Sequence, residues 1–157
     1  MKQNLFIAAP VTRSSFIAIM GISIAVGVTG CGWKAAVRSA NEATAIKTLR
    51  TIAEQQRMFY DSHQRSSFGT FDEMLRANLL DTRFAGSSPV VEGYVYNMRV
   101  IPKSASALAG FTVNADPKVT KGFCATGKNH FYLDSESNSI HVNSTHPATA
   151  TDPLTGQ

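Results

Sequence analysis

The sequence predicts an α+β protein in which one long N-terminal helix packs on a small antiparallel β-sheet. Residues 34–63 contain no proline and no glycine and are rich in alanine, a composition typical of one continuous helix. The second half of the chain instead carries short runs of alternating apolar and polar residues separated by turn residues, which is typical of paired strands. Together these two observations give the fold class.

Length and composition limit the range of functions. The 157 residues suffice for one domain behind an N-terminal targeting segment. A hydrophobic content of 43% with 17% charged residues describes a globular chain and excludes a disordered or fibrous one. The net charge is only +4, and no basic cluster accompanies it, so we expect no nucleic-acid partner.

Residues 1–30 are predicted to be a signal or anchor segment. Lys2 and Arg13 provide a basic start, an uncharged apolar run follows over residues 16–28, and small residues precede Cys31. The order Val28-Thr29-Gly30-Cys31 resembles a bacterial lipobox, in which the cysteine thiol accepts a diacylglyceryl group before cleavage. This resemblance makes Cys31 the predicted lipidation site and a covalent lipid the only expected cofactor.

Two other interpretations of this segment stay open. From Ser14 to Trp33 no residue is charged, a length close to the ~20 residues that a membrane-spanning helix needs. The segment could therefore remain as an apolar anchor. Alternatively, Ser15-Phe16 resembles the Gly-Phe cleavage site of a prepilin, with Met20 at the position where prepilins carry a glutamate.

Residues 31–64 are predicted to form the N-terminal helix, and its apolar residues recur at helical spacing. Such a stripe indicates a helix face that packs on a sheet. The predicted helix–sheet contacts are Ile46, Leu49, Ala53 and Tyr60, flanked by Ile52 and Phe59.

Residues 65–144 are predicted to form the globular head, and residues 145–157, rich in Thr, Pro and Ala, a flexible tail. Thr70 and Glu73 have the spacing of a capping box, which predicts a short helix that runs to about Leu80. The predicted strands cover residues 93–101, 111–115, 123–125, 130–133 and 139–143. Within the third of these, Cys124 is expected to be a buried, inert thiol.

Asp134, Glu136 and Asn138 place three oxygen ligands at alternate positions of a turn, as calcium loops do. The glycine and the distal glutamate of an EF-hand loop are missing, and a polar hairpin turn explains the same residues. These three residues are therefore a calcium candidate only, and we expect no metal.

Three histidines offer a second candidate metal site. His130, His141 and His146 lie on or near one predicted hairpin, but they lack the tight, repeated spacing of zinc ligands. We expect surface imidazoles. The sequence also contains no phosphate-binding glycine loop, Gly-x-Ser-x-Gly elbow or His-Glu-x-x-His helix, which favours a protein that is not an enzyme.

The block from Ala40 to Ile52, which begins Ala-Asn-Glu-Ala and ends Leu-Arg-Thr-Ile, resembles the part of type IV pilins and type II secretion pseudopilins where the N-terminal helix leaves the membrane. The segments 130–134, 139–142 and 148–153 resemble the closing hairpin and tail of the same group. The resemblance implies a ladle-shaped α+β subunit. It also implies that the partners are membrane lipid and other pilin-like or secretion-system subunits.

Two functions follow from the resemblance. The first is a non-catalytic, pilin-like structural subunit of the bacterial cell envelope, exported and membrane-anchored, in a type IV pilus or type II secretion-like system. The second is a lipoprotein binding module whose pilin-like head does not polymerise. Cys31 lies close to the position where pilins have the proline that bends their helix, so processing there would replace the polymerising stem with a lipid.

Overall fold

The computed structural model describes residues 29–156, with side chains from Trp33 onward. It contains the helices α1 (Thr29–Ser62) and α2 (Phe71–Arg76), a 3-10 turn (Thr82–Phe84), and the strands β1 (Val90–Val91), β2 (Tyr94–Ile101), β3 (Gly110–Pro117), β4 (His130–Asp134) and β5 (Ile140–Asn143). The predicted α+β class is confirmed, since helix is combined with a five-stranded antiparallel sheet. Residues 1–28 of the predicted leader, which covers residues 1–30, lie outside the described residues, and its last two, Thr29 and Gly30, begin α1.

The sheet is a simple meander in which every strand pairs with its neighbours in sequence, in the order β1-β2-β3-β4-β5. Tyr96 faces Ala115, Ala115 faces Phe131, and Phe131 faces Val142 across successive strands. Because side chains alternate along a strand, this register gathers apolar residues on the face towards α1. The opposite face is polar. On the apolar face, burial raises the pKa of Tyr96 to about 12.

The core side of α1 is a line of residues spaced three or four apart: Ala45, Leu49, Ile52, Gln56 and Phe59, all buried. The buried line of the structure is shifted by about one position along α1 from the line that the sequence predicts. Ile52 and Phe59, expected to flank the contact, lie on its central line, whereas Ile46, Ala53 and Tyr60 are half-buried at its edge. The displacement arises because the central position 56 is a glutamine. A pattern of apolar residues does not include it, although its side chain is buried.

Gln56 is buried because its amide forms a complete hydrogen-bond pair with one backbone unit. Its Nε2 donates to the Gly69 carbonyl at 2.6 Å, and its Oε1 accepts from the Gly69 N–H at 2.9 Å. A Cβ atom at Gly69 would lie 3.0 Å from the ring of Phe59. The glutamine and this close approach together fix the connection between α1 and α2.

The predicted capping box at the start of α2 is confirmed. The Thr70 hydroxyl accepts from the Glu73 N–H, and the Glu73 carboxylate accepts from the Thr70 N–H at 2.8 Å, a bond that lowers the pKa of Glu73. The helix ends at Arg76, earlier than predicted, because Asn78 adopts a positive φ of 55° and turns the chain.

The strand predicted over residues 123–125 is wrong, and so is the burial of its thiol. This segment is a loop, and Cys124 is exposed. Gly122 has a φ of +84°, and the Thr126 N–H bonds back to the Val119 carbonyl at 2.8 Å, which closes the segment on itself. Since β3 pairs directly with β4, the sheet has no position for an intervening strand.

The C-terminal tail, predicted to be flexible, lies along β5. The Val142 N–H donates to the Pro153 carbonyl and the Thr155 N–H donates to the Ile140 carbonyl, both at 2.8 Å. Ala148 is only 2% exposed. The tail therefore covers the outer edge of β5, where unpaired backbone groups would otherwise face solvent.

Shortening a side chain on the central line of α1 should destabilise the fold strongly. Leu49 is 0% exposed, so we expect Leu49→Ala to lower the free energy of unfolding by about 2–5 kcal/mol through lost burial and the cavity left behind. Met58 lies on the same helix with 56% of its surface exposed, and Met58→Ala should change stability by less than about 0.5 kcal/mol. Urea unfolding measures both values. Equal losses of unfolding free energy in the two variants would show that α1 does not pack on the sheet through this line.

Candidate functional site

Two consecutive polar residues of α1 hold the loop that leads into β4. The Glu42 carboxylate accepts from the backbone N–H groups of Lys128 at 2.8 Å and Asn129 at 3.3 Å, and from the Asn129 side-chain amide at 2.8 Å. The Asn41 side chain donates to the Thr126 carbonyl at 2.9 Å. We call these contacts the helix–loop clamp. One carboxylate thereby satisfies two backbone donors that no strand pairs with.

The sheet also holds this loop, through Tyr94 of β2. The Tyr94 hydroxyl donates to the Asn129 carbonyl at 2.9 Å, and burial raises the pKa of this tyrosine. Gly127 lies so close to the Tyr94 hydroxyl that a Cβ atom has no room. Gly93, at a φ of +78°, faces Thr126 in the same tight space. The loop over residues 126–129 is therefore fixed between helix and sheet.

The clamp gives Asn41 and Glu42 a structural role that sequence patterns alone did not assign. In the sequence, only a resemblance to pilins marks the block that contains them. Their partners lie 85–87 residues further along the chain, so no local sequence pattern predicts the contact. The one available signal is a pair of polar residues facing inward on an otherwise alanine-rich helix.

On the opposite face of the sheet, two histidines are buried in separate hydrogen bonds. His130 Nδ1 lies 2.6 Å from a carboxylate oxygen of Asp116, and His141 Nδ1 lies 2.6 Å from the carbonyl oxygen of Asp152. Both histidines are 8% exposed, so the expectation of surface imidazoles is wrong for them. His146, the third candidate ligand, is exposed and contacts Asn143 instead.

Asp152 holds the C-terminal tail against this polar face. Its carboxylate accepts from the Asn143 amide at 2.7 Å and from the N–H and hydroxyl of Thr149 at 2.7 and 2.9 Å. These bonds, the Asn143 bond first, lower the pKa of Asp152. Asn114 adds a bond from its amide to the Ala148 carbonyl at 2.9 Å. The polar face is thus occupied by contacts with the tail.

The calcium candidate forms the turn between β4 and β5. Asp134 Oδ1 accepts from the N–H groups of Glu136 at 2.9 Å and Ser137 at 2.7 Å, and Asn138 closes the turn with a φ of +49°. This is an aspartate turn in which the carboxylate caps backbone donors. Within residues 33–156, no three His, Cys, Asp or Glu side chains are arranged to hold a metal ion.

An open groove runs beside α1. It has a volume of about 530 Å³ and lies between the helix residues Arg50, Ala53 and Arg57 on one side and, on the other, Leu133 of β4 and Asn138 of the β4–β5 turn. Two arginines and one neighbouring acid, Glu54, give it a small positive charge. An anionic or acidic ligand would suit this groove better than a cationic one.

The lipidation candidate Cys31 is part of the first turn of α1, and only its backbone is described. Lipidation therefore stays a prediction. Of the helices that the structure describes, none combines the length and the apolar character needed to cross a bilayer.

No protein-family model, curated protein or solved structure gives a match to this chain. The assignment of a function therefore depends on the residues and contacts of the chain itself.

Removing the clamp carboxylate should loosen the loop before β4. We expect Glu42→Ala to lower the free energy of unfolding by about 0.5–1.5 kcal/mol, because the partly exposed backbone donors of Lys128 and Asn129 exchange a fixed carboxylate for water. Amide hydrogen exchange at these two residues should accelerate more than in β3. Glu54→Ala, an exposed acid on the same helix, is the matched control and should change neither quantity. Unchanged exchange in Glu42→Ala would contradict the role of the clamp.

Proposed function

We propose that this protein is a non-catalytic, pilin-like structural subunit of the bacterial cell envelope, held at a membrane by its N-terminus. It acts through contacts with other subunits of a type IV pilus or type II secretion-like system. The observation that carries the proposal is the helix–loop clamp. Asn41 and Glu42 belong to the block that resembles pilins, and they are the residues by which α1 holds the loop before β4.

The exposed start of α1 supports a role in assembly. Burial against the sheet begins near Asn41, and the preceding turns carry the exposed apolar residues Trp33 and Val37. Apolar side chains on a projecting helix suit contacts with lipid or with the helices of neighbouring subunits. The apolar run of residues 16–28 precedes this part of the helix directly, which supports a location at the membrane surface.

A lipoprotein binding module is the second candidate, and the groove beside α1 favours it. Arg50 and Arg57 flank an opening large enough for a small anionic ligand or an acidic segment of an exported partner. In this alternative the pilin-like head binds a ligand as a monomer and does not polymerise.

Anchoring by a lipid can be tested on the membrane-extracted protein by intact mass. We expect the mature chain to lack residues 1–30 and to carry acyl mass on Cys31, because the Val-Thr-Gly-Cys order resembles a lipobox. Cys31→Ser should keep the leader and carry no lipid. Cys124→Ser, which removes the exposed second thiol, is the control and should be processed like the natural chain.

Two results would contradict lipidation. An intact N-terminus with an unmodified Cys31 would leave an apolar anchor. Cleavage before Phe16 with a methylated amine would indicate an ordinary pilin leader.

Assembly can be tested in cells with a photo-crosslinking residue at Val37, on the exposed start of α1. We expect cross-links to other envelope subunits at this position and not at Ala150, which is also exposed but lies in the C-terminal tail. A chain that stays monomeric with both probes would reject the structural subunit and favour the binding module.

A further inference from the structure

The end of the molecule at which α1 begins gathers cationic and aromatic side chains. We call it the basic–aromatic end, and it comprises Trp33, Lys34 and Arg38 from α1 and Lys118, Lys121, Phe123 and Lys128 from the loop between β3 and β4. The three loop lysines are exposed, Phe123 is 82% exposed, and Trp33 is 72% exposed. Exposed aromatic residues among bases are unusual on a surface that faces only water.

The helix start and the loop form one surface because two contacts hold them together. The Lys34 ammonium lies over the ring of Phe123, a cation–π contact. Further along α1, the helix–loop clamp ties Glu42 to the backbone of Lys128. The loop is therefore attached to the helix at its middle and at its C-terminal end, which keeps its lysines near the helix bases.

This end carries an excess of positive charge. Five bases lie in the segments 29–41 and 117–133, and neither segment contains an acid. The nearest acids are engaged elsewhere: Glu42 accepts from the loop backbone, Asp116 pairs with His130, and Glu92, next to Gly93, lies 3.9 Å from Arg83. An excess of positive charge of this kind attracts an anionic surface.

The position of the N-terminal segment decides which anionic surface this is. The apolar run of residues 16–28 leads directly into Thr29, the first residue of α1. Whether that run spans the bilayer or is exchanged for a lipid on Cys31, the chain meets the membrane at this end. The basic–aromatic end is then within a few residues of the lipid headgroups.

We propose that the loop over residues 118–128 is a second membrane contact, in which its lysines bind anionic phospholipid headgroups and Phe123 inserts at the interface. The proposal rests on the membrane anchorage proposed above. Amphipathic surfaces with bases around an aromatic residue bind anionic bilayers in this way. Two points of attachment would fix the tilt of the domain, which a single flexible anchor leaves free.

The contact can be measured by tryptophan fluorescence of the full chain, extracted from its membrane and reconstituted into vesicles. Trp33 is the only tryptophan, so Trp33→Phe gives a silent background. In that background Phe123→Trp should shift its emission to the blue and be quenched by brominated lipids. Both effects should be larger in vesicles of phosphatidylglycerol and phosphatidylcholine than in phosphatidylcholine alone.

Leu108 provides a matched control, because it is 82% exposed, as Phe123 is. It precedes Gly110 at the start of β3, whereas Phe123 follows Pro117 at its end, so the length of an eight-residue strand, about 25 Å, separates their ends of the sheet. In the same background, Leu108→Trp should remain quenchable by water-soluble iodide and unaffected by brominated lipids.

Charge reversal tests the headgroup contact separately. Lys118→Glu with Lys121→Glu should abolish the extra lipid quenching of the Phe123→Trp probe in anionic vesicles. Arg76→Glu with Lys103→Glu changes the net charge equally at exposed sites outside the basic–aromatic end and should leave the quenching unchanged.

The remaining outcomes reject the proposal in distinguishable ways. If the chain floats with vesicles but the Phe123→Trp probe is as open to iodide as the Leu108→Trp probe, the anchor exists and the loop contact does not. A blue shift without lipid quenching would show that Phe123 packs on protein. Lipid quenching that depends neither on the charge of the lipid nor on the charge reversal of Lys118 and Lys121 would reject headgroup binding. A chain that fails to float would reject the anchorage itself and the loop contact with it.

Discussion

The connection between helix and sheet at the end where α1 begins depends on one carboxylate, that of Glu42. The loop before β4 presents two backbone N–H groups that no neighbouring strand accepts, and Glu42 receives both from a position fixed on α1. Because one of these donors is exposed and the other is partly buried, the bonds fix the position of the loop more than they stabilise the core. They place the segment that leads into β4 beside α1.

The two faces of the sheet are covered by different means. On one face α1 excludes water with apolar side chains, and the single buried amide of Gln56 is fully paired. On the other face the C-terminal tail covers a polar layer in which His130 and His141 have dedicated acceptors. The hydrophobic face supplies the driving force for folding, whereas the polar face selects one position for the tail.

Local signals predicted the parts of the fold that local physics determines. The alternation in β2, the capping box at Thr70 and the absence of helix breakers over residues 34–62 of α1 each involve residues a few positions apart. The failures share a cause, since they depend on partners distant in sequence. Gln56 is buried only because Gly69 meets it, and the segment around Cys124 is a loop because β3 and β4 pair without it. The helix–loop clamp of Asn41 and Glu42 is not predicted by the sequence for the same reason.

The tail along β5 has a consequence for how copies of this protein could associate. Pro153 and Thr155 occupy the backbone groups by which β5 would otherwise accept a strand from another molecule, and β1 at the far edge is only two residues long. Addition of a strand from another molecule is thus closed at the β5 edge, whereas at the other edge β1 covers only Tyr94 and Val95 and, among the described residues, leaves 97–101 of β2 without a strand partner on that side. A strand from another molecule could therefore extend this sheet on the β2 side only, and contacts on the β5 side would be made by side chains of the tail.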